Sequence, residues 1–189
     1  MKGIFNMVYK MKVAGLERDL PLCPINDELY IGAFILFGDV ELTERSAEEL
    51  YKLAPEHDVM ITAESRGIPL IHAMCRISGK NRYVLARKSV KLYMRNVVEC
   101  KTQSITTSNA QTLYIDGDDA EYMKGKRVLI VDDVISTGGS LASLENLVRQ
   151  SGGIVVGKMA ILAEGDAIER PDIICLGKLP LFDAEGNEL

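Results

Sequence analysis

The 189-residue sequence contains no tryptophan, two histidines, six prolines and four cysteines, and aromatic residues make up 6% of it. Each scarcity excludes something. Cys23, Cys75, Cys100 and Cys175 stand far apart with no C-x-x-C pair. With only His57 and His72 beside them, they spell neither a zinc site nor a disulfide-stapled scaffold. Long apolar runs are also missing. The longest, Ile31–Phe37 and Ile154–Leu162, fall well short of the roughly 20 residues a membrane-spanning helix needs. The opening MKGIFNMVYKMKV has no apolar core of signal-peptide length, so a cytoplasmic setting with reduced thiols is the expectation. A surplus of positive charge is absent too. With 22 basic and 27 acidic residues the net charge is −5. That argues against a nucleic-acid coat or a binder of anionic membranes, yet leaves room for a small anionic substrate.

What is present is a 47% hydrophobic composition, enough to bury the core of one domain. No repeat, linker or break in composition divides it, so a single domain over 1–189 is expected. Phe5, Met7, Tyr9, Met11 and Val13 alternate as a half-buried strand does. Leu29–Phe37, nearly all apolar, predicts a second strand. Thr43 reads as the N-cap of a helix with Ala47, Leu50, Tyr51 and Ala54 along one stripe. Asp58–Ala63 predicts a short buried strand, followed by a turn at Glu64–Gly67 and a helix to about Ile77. Arg82–Arg87 and Thr112–Asp116 predict strands on either side of a polar, irregular stretch. Arg127–Asp133 is the strongest strand; a helix bearing Leu141, Leu144, Leu147 and Val148 then stops at Gly152–Gly153. Ile154–Leu162 and Asp172–Leu176 complete the set. This alternation predicts an α/β fold: a mostly parallel twisted sheet with helices on both faces, whose ligands sit at the carboxyl ends of the strands.

The segment Val128–Ser140, VLIVDDVISTGGS, carries the chemistry. Four apolar residues anchor a strand from which Asp132 and Asp133 emerge, and such acids are too costly to bury without hydroxyls, a metal or a cation as partners. Ser136, Thr137, Gly138, Gly139 and Ser140 then form a small hydroxyl-rich turn that opens a helix, offering N–H groups and hydroxyls to one anion at the positive end of the helix dipole. An anion cradle beside an acid pair suits a sugar phosphate. G-x-x-x-x-G-K-[ST] and G-x-G-x-x-G are both absent.

Val128–Ser140 resembles the motif by which type I phosphoribosyltransferases bind phosphoribosyl pyrophosphate (PRPP): four hydrophobic residues, two acids and a T-G-G loop. Glu64-Ser65-Arg66-Gly67 is similar to the E-A-R-G turn of the adenine phosphoribosyltransferase branch, and Arg87-Lys88-Ser89-Val90-Lys91-Leu92 to its R-K-x-G-K-L segment. The order and spacing agree from about Asp58 to Val156. The resemblance implies the type I fold with a small hood built from the N- and C-terminal segments. It implies that Ser136–Ser140 holds the 5′-phosphate, that Asp132 and Asp133 hold the ribose hydroxyls, and that Ser65, Arg66, Arg87 and Lys91 meet the pyrophosphate. Asp132, Asp133, Arg87 and Lys91 are its catalytic set. It further implies purine salvage with adenine as acceptor, magnesium carried by the PRPP rather than by protein ligands, and a homodimer. Val134, Ile135 and Phe182 are candidates for the base. The sequence departs from the branch in the loop after Cys100, which reads KTQSITTSNAQ without the branch's Glu and Tyr, and at Val90, where the branch has glycine. These departures place it in a divergent subgroup, with hypoxanthine, guanine, xanthine or a pyrimidine as alternative acceptors and a non-catalytic PRPP sensor as the alternative function.

Charge supports the same region. Lys80 to Lys101 holds seven basic residues and Glu99 as its one acid, a net of +6 that leaves −11 for the rest of the chain. Beside a long irregular loop of the kind that closes over a site, this favours a ligand role for Arg87 and Lys91.

Overall fold

The computed structural model describes residues 7–101, 112–136 and 138–189. In chain order the elements are β1 (Val8–Val13), β2 (Leu16–Pro24), β3 (Tyr30–Gly32), α1 (Val40–Leu53), β4 (Val59–Ala63), α2 (Gly67–Ser78), β5 (Val84–Ala86), β6 (Val98–Lys101), β7 (Thr112–Ile115), α3 (Gly117–Met123), β8 (Arg127–Ile135), α4 (Gly139–Gln150), β9 (Ile154–Glu164), a 3-10 turn (Gly165–Glu169), β10 (Ile174–Leu179) and β11 (Leu181–Phe182).

β1 and β2 form a hairpin through Ala14 and Gly15, at φ 51° and 76°. Two consecutive positive φ values give the tight turn whose twist suits antiparallel strands. Met11 and Val13 bury as the alternation predicts; Phe5 lies outside the described residues. β2 corrects the sequence reading, which assigned it no element: Glu17, Asp19 and Pro21 occupy one face of LERDLPLCP while Leu20 and Leu22 bury on the other. The expected strand Leu29–Phe37 is also corrected, since only Tyr30–Gly32 is extended and paired. Beyond it the N–H groups of Ala33 and Phe34 donate to Pro21 and Gly32 carbonyls. Phe34 and Leu36 enter the core while Ile35 and Phe37 face out. The run is apolar because it crosses from one core to another, not because it is one strand. β11 returns the end of the chain to β3, giving a small sheet of order β1-β2-β3-β11, the expected hood.

The helix cap is a third correction. Asp39, not Thr43, caps α1: its Oδ1 accepts the Leu42 N–H at 3.0 Å, while the Thr43 hydroxyl donates to the Asp39 carbonyl at 2.7 Å. Gly38 at φ 85° lets the chain turn into the helix one residue earlier. Arg18 of β2 reaches Asp39 at 2.6 Å and so ties the hood to α1.

The central sheet is parallel, in order β10-β9-β8-β4-β5. Both faces are covered. α1 and α2 pack over Met60, Leu129, Val131, Met159 and Ile161; α3, α4 and the β6–β7 ladder pack over Val59, Ile61, Val128, Ile130 and Ala160. Buried on both sides, β4 and β8 read as continuous apolar runs. β6 lies where the sequence suggested only irregular chain, and α3 where the sequence reading assigned no element. β4 leads outward to β5 and β8 leads the opposite way to β9, so the strand order reverses between β4 and β8. In such sheets the ligand crevice opens there, beyond the carboxyl ends.

Candidate active site

The crevice between β4 and β8 is closed at its floor by packing that tolerates only glycine. A β-carbon on Gly67, the first residue of α2, would stand 2.7 Å from Thr62 Oγ1, 2.9 Å from Asp132 Oδ1 and 3.2 Å from Asp132 Cα. α2 therefore starts directly against the end of β8, which brings Ser65 to the acids. The Ser65 hydroxyl donates to Asp132 Oδ1 at 3.0 Å, and the Asp133 N–H donates to the same oxygen at 2.9 Å. Burial, and after it the neighbouring Asp133, pushes the Asp132 carboxyl well above the ordinary carboxylate range. Asp133 is 3% exposed. Arg66 Nε lies 2.9 Å from its Oδ2, an ion pair outside hydrogen-bond geometry. The same guanidinium donates from Nη1 to the Phe34 carbonyl at 2.7 Å. Arg66 is thus held between the hood junction and the acid pair.

A second cluster sits at the end of β4. Glu64 continues the pairing with β5 through its N–H, which donates to Ala86 O at 2.7 Å. Its Oε2 accepts the Lys88 N–H at 2.9 Å, and Oε1 lies 3.3 Å from Arg87 Nη2 and 3.9 Å from Lys91 Nζ. The Lys88 N–H, then the charges of Arg87 and Lys91, hold the Glu64 carboxyl below its usual value. One acid thereby gathers the basic segment over the cleft. Glu164, at the end of β9, is raised by burial and drawn back by Arg66.

The turn that opens α4 is built differently. Gly138 is the N-cap at φ 79°, with no side-chain cap. Among the described residues, a β-carbon on Gly139 would meet nothing within 4 Å. Ser136 is partly buried, and Gly139 and Ser140 are exposed. N–H groups at an open helix start, beside two hydroxyls, are suited to an anion.

A cleft of about 490 Å3 joins these parts; Glu64, Ser65, Arg66, Lys88, Asp132, Asp133, Val134 and Ser140 line it, with Phe37 and Ile68 as its apolar wall. The fold thus brings together Ser65, Arg66, Asp132, Asp133, Val134 and Ser140, with Arg87 and Lys91 reaching the cleft through Glu64. Thr137 lies outside the described residues. Two base candidates are not brought to the cleft. Ile135 is 3% exposed within the core under α4. Phe182 is 1% exposed in the hood, its ring 5.0 Å from that of Tyr9. β11 pairs with β3, so the apolar tail fills the hood's own core. Sequence reasoning gave no role to Glu64 or Glu164; nothing local marks an acid whose partners come from other strands.

Comparison with known proteins places the chain in a family. The family described as the phosphoribosyl transferase domain matches residues 40–178. An adenine phosphoribosyltransferase of Thermotoga maritima is 32% identical over 164 residues, covering 86% of this chain and 91% of its own. A hypoxanthine/guanine phosphoribosyltransferase of Methanococcus maripaludis is 30% identical over 159 residues, covering 80% and 82%. Among solved structures, an adenine phosphoribosyltransferase from Thermoanaerobacter pseudethanolicus superposes with a TM-score of 0.66 at 24% identity, covering 91% of this chain and 95% of that one.

Proposed function

Because the chain belongs to the phosphoribosyltransferase family and is an enzyme of that class, we propose that it transfers the 5-phosphoribosyl group of PRPP to a ring nitrogen of adenine, releasing pyrophosphate and forming AMP in purine salvage. The observation that carries the reading is the knot of Ser65, Arg66, Asp132 and Asp133 at the strand-order reversal, facing the turn at Gly138 across one cleft.

The protein's part in this chemistry is to place charge and exclude water. Ser136, Thr137, Gly138, Gly139 and Ser140 bind the 5′-phosphate through N–H and hydroxyl groups. Asp132 and Asp133 take the ribose hydroxyls and favour the positive charge that builds on the sugar as its bond to pyrophosphate breaks. Ser65, Arg66, Arg87 and Lys91 stabilise the departing pyrophosphate. Arg66 and the two basic residues at Glu64 are paired in the free protein, so the anion exchanges places with carboxylates that already hold the cations in position. Val134 and the apolar wall of Phe37 and Ile68 border the space left for the base.

Magnesium enters as an ion carried by the PRPP. The donors at the end of β8 are hard oxygens, and Asp133 Oδ2 is buried without a hydrogen bond among the described residues, which fits that ion; Asp132 and Asp133 are the residues that would face it. When bound, the ion supplies neutralisation of the pyrophosphate charge. The homodimer and the cytoplasmic setting belong to the same proposal. Exposed Val90, Leu92 and Tyr93, in the segment that carries Lys91, supply apolar surface for a second copy to cover.

Hypoxanthine or guanine is the alternative acceptor, favoured by the Methanococcus relative. Incubation with PRPP, magnesium and each base in turn, scored by pyrophosphate and nucleotide formed, decides between them. Adenine alone should give rapid release. IMP or GMP in its place would move the assignment to the alternative, and no nucleotide from any base would overturn transfer itself. The double variant Asp132→Asn with Asp133→Asn should lose at least about 100-fold in turnover with its circular dichroism unchanged; normal turnover would remove the acids from the site.

A further inference from the structure

Resting on the reading of Ser136–Ser140 as the 5′-phosphate subsite, we propose that Arg170 is a further ligand of that phosphate, presented to the turn by Asp172. Arg170 follows the 3-10 turn after β9, 30 residues beyond Ser140 in sequence, and no motif includes it. In space its Nη1 lies 3.0 Å from the point where a β-carbon on Gly138 would stand. The glycine that the turn needs for its positive φ thus also leaves the room into which a guanidinium packs.

The orientation of that guanidinium is built. Asp172 accepts from the far edge, Nε at 3.1 Å to Oδ1 and Nη2 at 2.8 Å to Oδ2, so Nη1 is the amino group turned toward Gly138. Asp172 is in turn bound by Lys158 of β9, and Lys158 reaches Glu145 of α4 at 2.9 Å. Lys158 and Glu145 are largely buried, their side chains 15% and 13% exposed. The chain of charges therefore starts and ends on α4. It runs from Glu145 through Lys158 and Asp172 to Arg170, and back to the turn at the helix's own start.

A phosphomonoester on ribose is doubly charged, and N–H groups and hydroxyls alone leave that charge uncompensated. One guanidinium amino group at the turn supplies a charge-assisted hydrogen bond. With Nε and one N–H of Nη2 committed to Asp172, Arg170 keeps both N–H groups of Nη1 for the turn, so its contribution is to affinity for the sugar phosphate. In the proposed function pyrophosphate is held by Ser65, Arg66, Arg87 and Lys91 rather than by the turn, so Arg170 should not affect it.

Calorimetric titration of ribose 5-phosphate and of pyrophosphate, separately, tests this in wild type, Arg170→Met, Arg170→Lys and Asp172→Asn. Arg170→Met should lose about ten-fold in affinity for ribose 5-phosphate and nothing for pyrophosphate. The KM for PRPP should rise by a similar factor while kcat stays within about two-fold. Arg170→Lys should recover part of the loss. Asp172→Asn, which keeps the charge of Arg170 but loosens the hold on its orientation, should fall between Arg170→Met and wild type. Should the Met variant fail to fold, the Lys and Asn variants carry the same comparison. Unchanged ribose 5-phosphate affinity in the folded variants overturns the role of Arg170, and so does an equal loss for both ligands, which marks a collapsed turn. A wild type that binds ribose 5-phosphate but transfers nothing overturns the proposed reaction and leaves the role of Arg170 measurable. A wild type that does not bind it overturns the reading of the turn, and Arg170's role with it.

Discussion

At the ends of β4 and β8 the charged groups already have protein partners. Asp132 takes the Ser65 hydroxyl and the Asp133 N–H, Asp133 lies against Arg66, and Glu64 gathers Lys88, Arg87 and Lys91. At the start of α4 the arrangement is the reverse: Gly138 caps the helix without a side chain, and among the described residues nothing stands within 4 Å of a β-carbon placed on Gly139. The contrast follows from what each group costs when it lacks a ligand. A carboxylate enclosed without partners would be expensive, so the acidic end must be satisfied internally, and in the proposed reaction it would give up some of those contacts to substrate. N–H groups at a helix start can face water at little cost, so the turn can remain open and wait for an anion.

That comparison can be broken from the glycines. Gly67→Ala should be the most damaging single change, because the new β-carbon meets the backbone of Asp132 as well as Thr62. A loss of about 1–3 kcal/mol, seen as a thermal midpoint lower by several degrees, should accompany loss of turnover. An unchanged midpoint would mean that the floor of the crevice is not close-packed.

Gly139→Val should behave in the opposite way. With open space around the β-carbon, stability should change by no more than about 0.5–1 kcal/mol, while ribose 5-phosphate binding falls at least about ten-fold because the isopropyl group occupies the cradle. A large loss of stability with intact binding would reverse the contrast between the two ends.

The smallest effect concerns Asp132 alone. Its carboxyl is raised by burial and by Asp133, so the folded protein keeps that proton to higher pH than the unfolded chain does. As pH climbs from about 4 through the raised value, ionising Asp132 costs the folded state stability. Asp132→Asn cannot ionise, so it should be more stable than wild type by roughly 0.5–2 kcal/mol near neutral pH, and less active. The gain should vanish near pH 4. Thermal melts of both proteins from pH 4 to 8 should diverge as pH rises; parallel curves would show that Asp132 ionises freely in the folded state.

Much of the parallel sheet was legible because β4, β8 and β9 are buried on both faces and so read as apolar runs. β2 was not, since Glu17, Asp19 and Pro21 on the outer face, and Arg18 beside Leu20 on the inner one, mask the burial of Leu20 and Leu22. Leu29–Phe37 misled for the opposite reason: its apolar residues serve two cores joined by a turn. That Asp132, Asp133, Ser65, Arg66 and Ser140 line one cleft was legible from short motifs, because each motif lies within one strand-to-helix connection. Phe182, a base candidate because an apolar tail would suit stacking, instead fills the hood.

The sequence by itself determined the layered α/β architecture, the acid pair on the end of a buried strand and the small turn that follows it, because these depend on residues within about ten positions of one another. Only the tertiary structure decided how the charges are shared. Glu64 collects the basic segment because β5 pairs beside β4, Arg66 settles against Asp133 because α2 starts against β8 at Gly67, and Arg170 reaches Gly138 because β9 and α4 carry the ion pairs that aim it. An ion pair depends on distance in space, which falls off with nothing a linear sequence displays, whereas burial of a strand is written in its own residues.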